Sequence, residues 1–362
     1  MEDTKRRAAA NSEHPESACA NARASARYQA SHHAMGTVFS IVTYGTSSEL
    51  LAGTVGRAFQ EIDRLNDLMS HYKPDSELSV INRQAAHGSV TVTPELFRIL
   101  EQCFRYSEET EGAFDITVGP LMKLWGFFQG AGHLPSVPAL AEVRKQVGYR
   151  HVVLGSATRT VRFDRTGVEL DLGAFGKGYA VDRVAAILSA EGITQALVSS
   201  GASTICAMGS PPGKQGWTVS LCHPFDRRRI ATGLQIQNLS ISVSGNYEKL
   251  FEADGKVYTH ILDPGSGMPA ENMLMAAVIS PSAAESDALS TSFFIKGIAR
   301  SRTYLDSHSD LTALFFTPSH LSQRFEQKVF PARRPVRNSF VAMPQSADPI
   351  SALGADSGSL QG

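Results

Sequence analysis

Glu285-Ser-Asp287-Ala-Leu-Ser290-Thr291 opens the last helical stretch of the chain. Asp287 and Thr291 stand four residues apart and so share a helix face, with Ser290 beside them. One carboxylate flanked by hydroxyls is a hard oxygen set, suited to magnesium and not to zinc. The same residues also suit an ordinary helix start, where Ser and Asp cap. A second segment is Asp171-Leu-Gly-Ala-Phe-Gly-Lys-Gly-Tyr-Ala-Val-Asp182, in which an apolar strand end runs through three glycines into a helix. Gly173, Gly176 and Gly178 would let backbone N–H groups approach an anion, and Lys177 would add a point charge. Tight packing of the helix is the alternative reason for such glycines. The spacing matches neither the dinucleotide nor the P-loop fingerprint.

Three further segments could contribute. His260, in Tyr258-Thr-His-Ile-Leu-Asp263-Pro-Gly, ends an apparent strand and could act as a general base, or be structural. Ser244-Gly-Asn-Tyr247 is a turn after the strand Leu239 to Val243. Gly112-Ala-Phe-Asp115 offers small residues that could admit a planar ring, or a helix start capped by Asp115. Tyr72 could stack on a ring or fill a loop.

The elements that must position these residues alternate along the chain. Val38 to Tyr44 reads as a strand, and Glu49 to Met69 as a helix with apolar residues at i, i+3, i+4 spacing. Thr93 and Pro94 start a helix that runs to about Thr110, as N-cap and first helical residue. A shorter helix is expected over Pro138 to Gly148, and strands near His151 to Leu154 and Thr160 to Phe163. Tyr179 to Ala190 reads as a helix, then short β-rich runs follow Gln195. A helix over Ala283 to Lys296 and a strand near Leu311 to Phe316 close the pattern. Helices and strands mix without a regular βαβ rhythm, which predicts an α+β fold with largely antiparallel sheet.

Lys and Arg total 34 against 35 Asp and Glu in 362 residues, a net charge of -1, which argues against a general nucleic-acid binder. No apolar run is long enough for a transmembrane segment. Four scattered cysteines, Cys19, Cys103, Cys206 and Cys222, form no C-x-x-C pair. Residues 1–30 read as a disordered N-terminal tail and residues 331–362 as a flexible C-terminal tail, leaving 31–330 as the folded unit. Lys5, Arg6 and Arg7 are not followed by the apolar run of a signal peptide. The sequence as it stands is therefore expected to be cytoplasmic, or periplasmic or membrane-anchored if the true start lies upstream.

Taken in order, these segments resemble the ApbE family, the FAD:protein FMN transferases. The likeness rests on Met35-Gly-Thr37, Met69 to Ser79, Gly112 to Pro120 and Leu124-Trp-Gly126 in the N-terminal half. In the C-terminal half it rests on Asp171 to Asp182, Ser244 to Glu248, Thr259 to Pro264 and Ser286 to Thr291. The resemblance implies two related tunnelling-fold-like halves, FAD bound as substrate, and Mg²⁺ at its pyrophosphate. It implies transfer of FMN to a Thr or Ser hydroxyl of an acceptor flavoprotein, with release of AMP. By match to the family's motifs, Asp287, Ser290, Thr291 and the backbone carbonyl of Ala174 would hold the metal. Met35, Tyr72, Ala113, Phe114, Asp115, Asp171, Lys177 and Leu262 would line the FAD site, and His260 matches the proposed base.

One departure stands out. The family commonly has a Gly-Gly pair, often followed by Asp, where this chain has Gly201-Ala202-Ser203. If that backbone needs φ > 0, or touches FAD closely, the Ala202 methyl is expected to weaken FAD binding. The alternatives to a transferase are a non-catalytic flavin-binding protein, or an FAD pyrophosphatase giving FMN and AMP.

Overall fold

The computed structural model describes residues 25–128, 130, 132–246, 250–320 and 324–333, and the backbone of 340–343. The first strands, β1 (Ala26–Ala34) and β2 (Thr37–Gly45), form a hairpin. Helices α1 (Ser48–Met69), α2 (Glu77–Gln84) and α3 (Pro94–Glu109) follow, with the short strand β3 (Val90–Thr91) between the last two. Next come α4 (Gly119–Leu124), α5 (Val137–Arg144), β4 (Val152–Gly155), β5 (Thr160–Phe163) and α6 (Gly176–Ala190). Strands β6 (Gln195–Ser200), β7 (Thr204–Met208), β8 (Trp217–His223), β9 (Asp226–Ile236) and β10 (Leu239–Gly245) succeed one another. The chain then forms β11 (Leu250–Ala253), β12 (Lys256–Thr259), β13 (Met275–Ser280), α7 (Ala283–Ser307), β14 (Thr312–Pro318), β15 (Phe325–Phe330) and β16 (Phe340–Met343).

The fold is α+β. Its main sheet has eight strands in the order β1-β2-β6-β7-β10-β13-β14-β15, every neighbouring pair antiparallel. On one face of this sheet α1 packs against β1 and β2, and α7 against β10, β13 and β14, with α6 packed between the two helices. Residues such as Phe39, Ile41, Leu51, Ile62, Val184 and Phe293 fill the layer between sheet and helices. The opposite face is covered by the small sheet β16-β9-β8, through Trp217, Leu234, Ile241, Val243 and Phe316. Strand β10 shows how sequence sets this division. Leu239, Ile241 and Val243 point to the small sheet. Ser240 and Ser242 point the other way, where the peptide oxygen of one and the hydroxyl of the other meet Ser286 and Asp287 of α7.

Local signals place the helices. Ser47 caps α1, Thr93 caps α3 with Pro94 in its first turn, and Ser282 caps α7. Several boundaries differ from the sequence expectation, and the helix expected over Pro138 to Gly148 runs over Val137–Arg144. Strand β1 occupies Ala26–Ala34 and so begins inside the stretch read as tail to residue 30, because small residues Ala26 and Ala30 flank Tyr28 on the core-facing side. Helix α6 starts at Gly176, not Tyr179. Helix α7 continues to Ser307, because the chain passes through Gly297 (φ 69°) and resumes helical geometry. Backbone at Phe340–Met343 pairs with β9 inside the expected C-terminal tail; residues 1–24, 334–339 and 344–362 of the two expected tails lie outside the described residues. Among the described residues, no helix is long and apolar enough to cross a membrane.

Candidate active site

A cavity of about 780 Å³ opens where the β1–β2 turn, the start of α6, the end of β10 and the segment after β12 converge. Met35, Tyr72, Ala113, Phe114, Asp115 and Asp171 line it, as do Ala174, Lys177, His260, Leu262, Asp287 and Thr291. Of the residues that the family resemblance put at the metal, the flavin or the base, Ser290 alone is not on its wall. Ser290 is fully buried one layer behind, where its hydroxyl shares a 2.9 Å hydrogen bond with that of Ser244 and donates to the Asp287 carbonyl.

Asp287 sits at the inner end. Its Oδ2 accepts from the Gly178 N–H at 2.9 Å, and its Oδ1 from the Ser242 hydroxyl at 3.2 Å. Ser244 lies 3.0 Å from the Thr291 hydroxyl, so strand β10 and helix α7 tie carboxylate and hydroxyls into one array. Among the described residues, no three His, Cys, Asp or Glu side chains converge. A cation here would therefore meet one carboxylate, with hydroxyl and carbonyl oxygens beside it. Those donors fit a hard ion that keeps phosphate and water ligands, as Mg²⁺ does. Beneath the array, Asp182 accepts from the Ala283 and Ala284 N–H groups and from the Ser282 hydroxyl, which fixes where α7 begins. Burial, and then Asp287 nearby, push the Asp182 carboxyl above the usual range despite those donors.

The glycine segment divides its labour. Gly173 donates to Asp171 at 2.8 Å and borders the cavity, while Lys177 reaches back to the Gly173 carbonyl. Gly178 is instead a packing residue: a Cβ there would lie 2.4 Å from the Ala283 carbonyl oxygen of α7. Burial opposes ionisation of Asp171, yet the His71 imidazole at 3.4 Å, the Gly173 N–H and Lys177 hold its carboxyl below the usual range. His71 stacks on Phe128 at 4.4 Å and against Tyr72 at 3.9 Å, which makes an aromatic wall on the outer side of the cavity.

Asp115 borders the cavity, but its carboxylate ties the chain together. It accepts from the Thr117 N–H and hydroxyl and from the Tyr149 N–H. Burial raises its pKa against those bonds. Met35 and Gly36, at φ 50° and 70°, form the two-residue turn of the β1–β2 hairpin. A side-chain-bearing residue in that region is strained by about 1–2 kcal/mol, and here it stands on the cavity wall. In the segment Gly201-Ala202-Ser203 the left-handed residue is Gly201 (φ 57°), and Ala202 takes ordinary backbone angles. The conformational reason for expecting weaker flavin binding is thereby removed, although Ala202 does line the cavity.

His260 follows directly on β12, and its ring meets Phe127 edge-on at 6.3 Å. Trp125 holds the neighbouring turn by donating its indole N–H to the Gly267 carbonyl at 2.9 Å. The sequence reading missed Ser242, His71, Phe128 and Arg227 at the site. Only Ser242 had a local signal, the strict alternation of Leu239-Ser-Ile-Ser-Val-Ser-Gly245.

A large cleft with an aromatic wall outside and an oxygen-rich, single-carboxylate end inside has the features that suit an elongated ligand, flat at one part and anionic at another. The sequence model of the ApbE family matches residues 35–315, and the chain belongs to that family. An FAD:protein FMN transferase from Klebsiella pneumoniae is 35% identical over 268 residues, covering 72% of this chain and 81% of the relative. One from Salmonella typhimurium is 31% identical over 274 residues, 74% and 78% respectively. Among solved structures, the flavin transferase ApbE from Vibrio cholerae superposes with a TM-score of 0.75 at 27% identity, over 86% of this chain and 99% of that one. The ApbE protein of Thermotoga maritima gives 0.73 at 28% identity, over 80% and 94%.

Proposed function

We propose that this protein is an FAD:protein FMN transferase. It moves FMN from FAD to a Thr or Ser hydroxyl of an acceptor flavoprotein, and AMP leaves. The observation that carries this reading is one cavity bordered by Asp287 and Thr291 at one part, His260 at another, and the aromatic wall beyond. In the reaction the acceptor oxygen bonds to the FMN-side phosphorus. The phosphoanhydride bond breaks, and the bridging oxygen departs with AMP.

Asp287, Thr291 and the Ala174 carbonyl would hold Mg²⁺, with Ser290 steadying them from behind through Ser244. Bound there, Mg²⁺ supplies charge neutralisation at the pyrophosphate oxygens. The protein's own groups do the rest. His260 takes the proton of the weakly nucleophilic acceptor hydroxyl. Lys177 adds positive charge beside the glycine turn. Tyr72, His71 and Phe128 offer ring faces to a planar part of FAD. Met35, Ala113, Phe114 and Leu262 exclude water along the walls.

The test is to incubate the protein with FAD, Mg²⁺ and a threonine-bearing acceptor of the family's type, then look for in-gel flavin fluorescence after denaturation. Covalent FMN is expected, along with AMP in equal amount, and Asp287→Ala should lose the magnesium-dependent turnover. Measured FAD binding without product would leave a non-catalytic flavin binder. FMN and AMP released with no modified acceptor would indicate a pyrophosphatase.

A further inference from the structure

The β8–β9 hairpin turns at Pro224-Phe225 beside the cavity, and its register is broken. His223 pairs with Asp226 and Cys222 with Ile230, so Arg227, Arg228 and Arg229 have no pairing residue on β8. Three consecutive arginines are thus looped out of the ladder in one bulge. Bulges beside active sites re-aim side chains in this way. The first of the three, Arg227, borders the same cavity as His260 and Asp287. Beyond the rim, the Arg228 side chain is 91% exposed, and Phe225 and Ile230 are 46% and 44% exposed. His223 packs its ring edge-on to Phe325 at 5.1 Å, which brings the chain at Arg324 to the same side. Burial, and then the charge on Arg229, hold the His223 imidazole below its usual range against the opposing charge of Asp226.

We propose that this arginine bulge is the docking surface for the acceptor protein, and that it receives an acidic segment flanking the hydroxyl to be modified. The inference rests on the FMN-transfer reading, because only that reaction brings a second protein to this cavity. The acceptor hydroxyl must reach His260, so the polypeptide that carries it must cross the cavity mouth. Arg227 marks the bulge as part of that mouth. The chain as a whole is near neutral, with a net charge of -1, so the positive charge at this rim is local. Neighbouring like charges repel one another, and Asp226 supplies the one carboxylate paired to Arg228 at 3.1 Å among the described residues. An incoming acidic segment would relieve that repulsion. Arginine beside an exposed aromatic is also the side-chain chemistry over-represented where interfaces concentrate binding energy. Charge of this kind acts chiefly on encounter rate and partner choice, and it weakens with salt.

The probes are two fluorescein-labelled peptides, each with one threonine, flanked by aspartates in the first and by lysines in the second. Anisotropy reads binding with FAD and Mg²⁺ present. The wild-type protein is expected to bind the aspartate peptide about tenfold or more tightly than the lysine peptide, with the gap closing at high salt. Arg228→Glu/Arg229→Glu should abolish or invert this preference and leave FAD affinity and melting temperature unchanged. Arg228→Gln/Arg229→Gln, a milder change should the first variant fold poorly, should erase the preference without inverting it. Equal binding of the two peptides by the wild type overturns the proposal. So does a preference that survives both variants, or sedimentation with phosphatidylserine vesicles by a protein that binds neither peptide. Covalent flavin on the peptide is scored separately. Selective binding without it counts against the transferase reading and leaves the docking surface standing.

Discussion

Gly178→Ala puts the geometry of the candidate metal site to a direct test. Built on the existing backbone, the new Cβ lies 2.4 Å from the Ala283 carbonyl oxygen, 2.7 Å from its carbon and 2.7 Å from the Ala284 Cα. All three are main-chain atoms of α7, so no side chain can swing aside, and α6 and α7 must part by roughly 1 Å to reach ordinary contact. Overpacking of this kind costs about 1–3 kcal/mol. For about 300 folded residues that lowers Tm by about 1.5–2 °C for each kcal/mol. The same separation draws the Gly178 N–H away from Asp287 Oδ2, now at 2.9 Å, and moves the carboxylate relative to Ala174, which lies just before α6. A displacement near 1 Å at a reacting centre can cost about 100-fold in rate. FMN transfer should therefore fall by about two orders of magnitude, while melting drops by several degrees. Gly176→Ala is the control. Its added Cβ meets nothing closer than the flexible Met69 side chain at 3.6 Å, so thermal stability should hold or rise by up to about 1 kcal/mol. Equal melting temperatures for the two variants, with Gly178→Ala fully active, would refute the claim that α6–α7 contact sets the position of Asp287.

His260→Ala should cut transfer while FAD affinity, read by flavin fluorescence, stays close to that of the wild type; equal loss of both would recast His260 as a binding residue. Asp171 titrates lower in the folded chain than its ordinary value near 4, so its ionisation contributes stability above that pH, and the contribution disappears as pH falls through the lower folded value. His71→Phe removes one source of that depression, and the urea midpoint should fall at neutral pH, with the gap to wild type narrowing below about pH 4; a gap that does not depend on pH counts against the pairing. Gly201→Ala forces a Cβ to 2.5 Å from the Thr37 hydroxyl at φ 57° and should cost at least about 1–2 kcal/mol. Ala202→Gly should cost only about 0.4–1 kcal/mol, through a looser unfolded chain, and calorimetry showing the reverse order would contradict the assignment of the turn.

Sequence carried most of the elements where a local rule acts. Thr93-Pro94 marked the start of α3, the 3.6-residue periodicity marked α1, and β5 fell on the expected residues. Elements went unread where tertiary contacts supply what the local pattern lacks. Helix α2 has only eight residues, and its cap Ser76 is secured by the Ser70 carbonyl across the preceding loop. Strand β1 has mostly small or polar residues and is stable because β2 pairs along its whole length. At the site, helix-face arithmetic put Asp287, Ser290 and Thr291 together correctly, but it could not say which side met the cavity. At 100° per residue, Thr291 lies about 40° from Asp287 on one side and Ser290 about 60° on the other. The position of β10 then decides that Thr291 borders the cavity and Ser290 is covered.

The glycine segment shows why sequence left two readings open. An anion cradle and a tight helix contact ask for the same residue type, so composition cannot separate them. In the structure the N–H groups of Gly173, Gly176 and Gly178 donate to Asp171, the Leu172 carbonyl and Asp287. Gly173 borders the cavity beside Asp171, whereas Gly178 lets α7 approach and gives its N–H to Asp287. Asp182, one helical turn further along α6, fixes the first residues of α7. Two successive turns of α6 thus determine where the Asp287 carboxylate stands, from opposite ends of the same helix contact. In this arrangement a packing residue positions the Asp287 carboxylate as directly as a residue on the cavity wall would. Substitutions at the α6–α7 contact should therefore lower turnover in proportion to how far they part the helices, whether or not they touch the cavity.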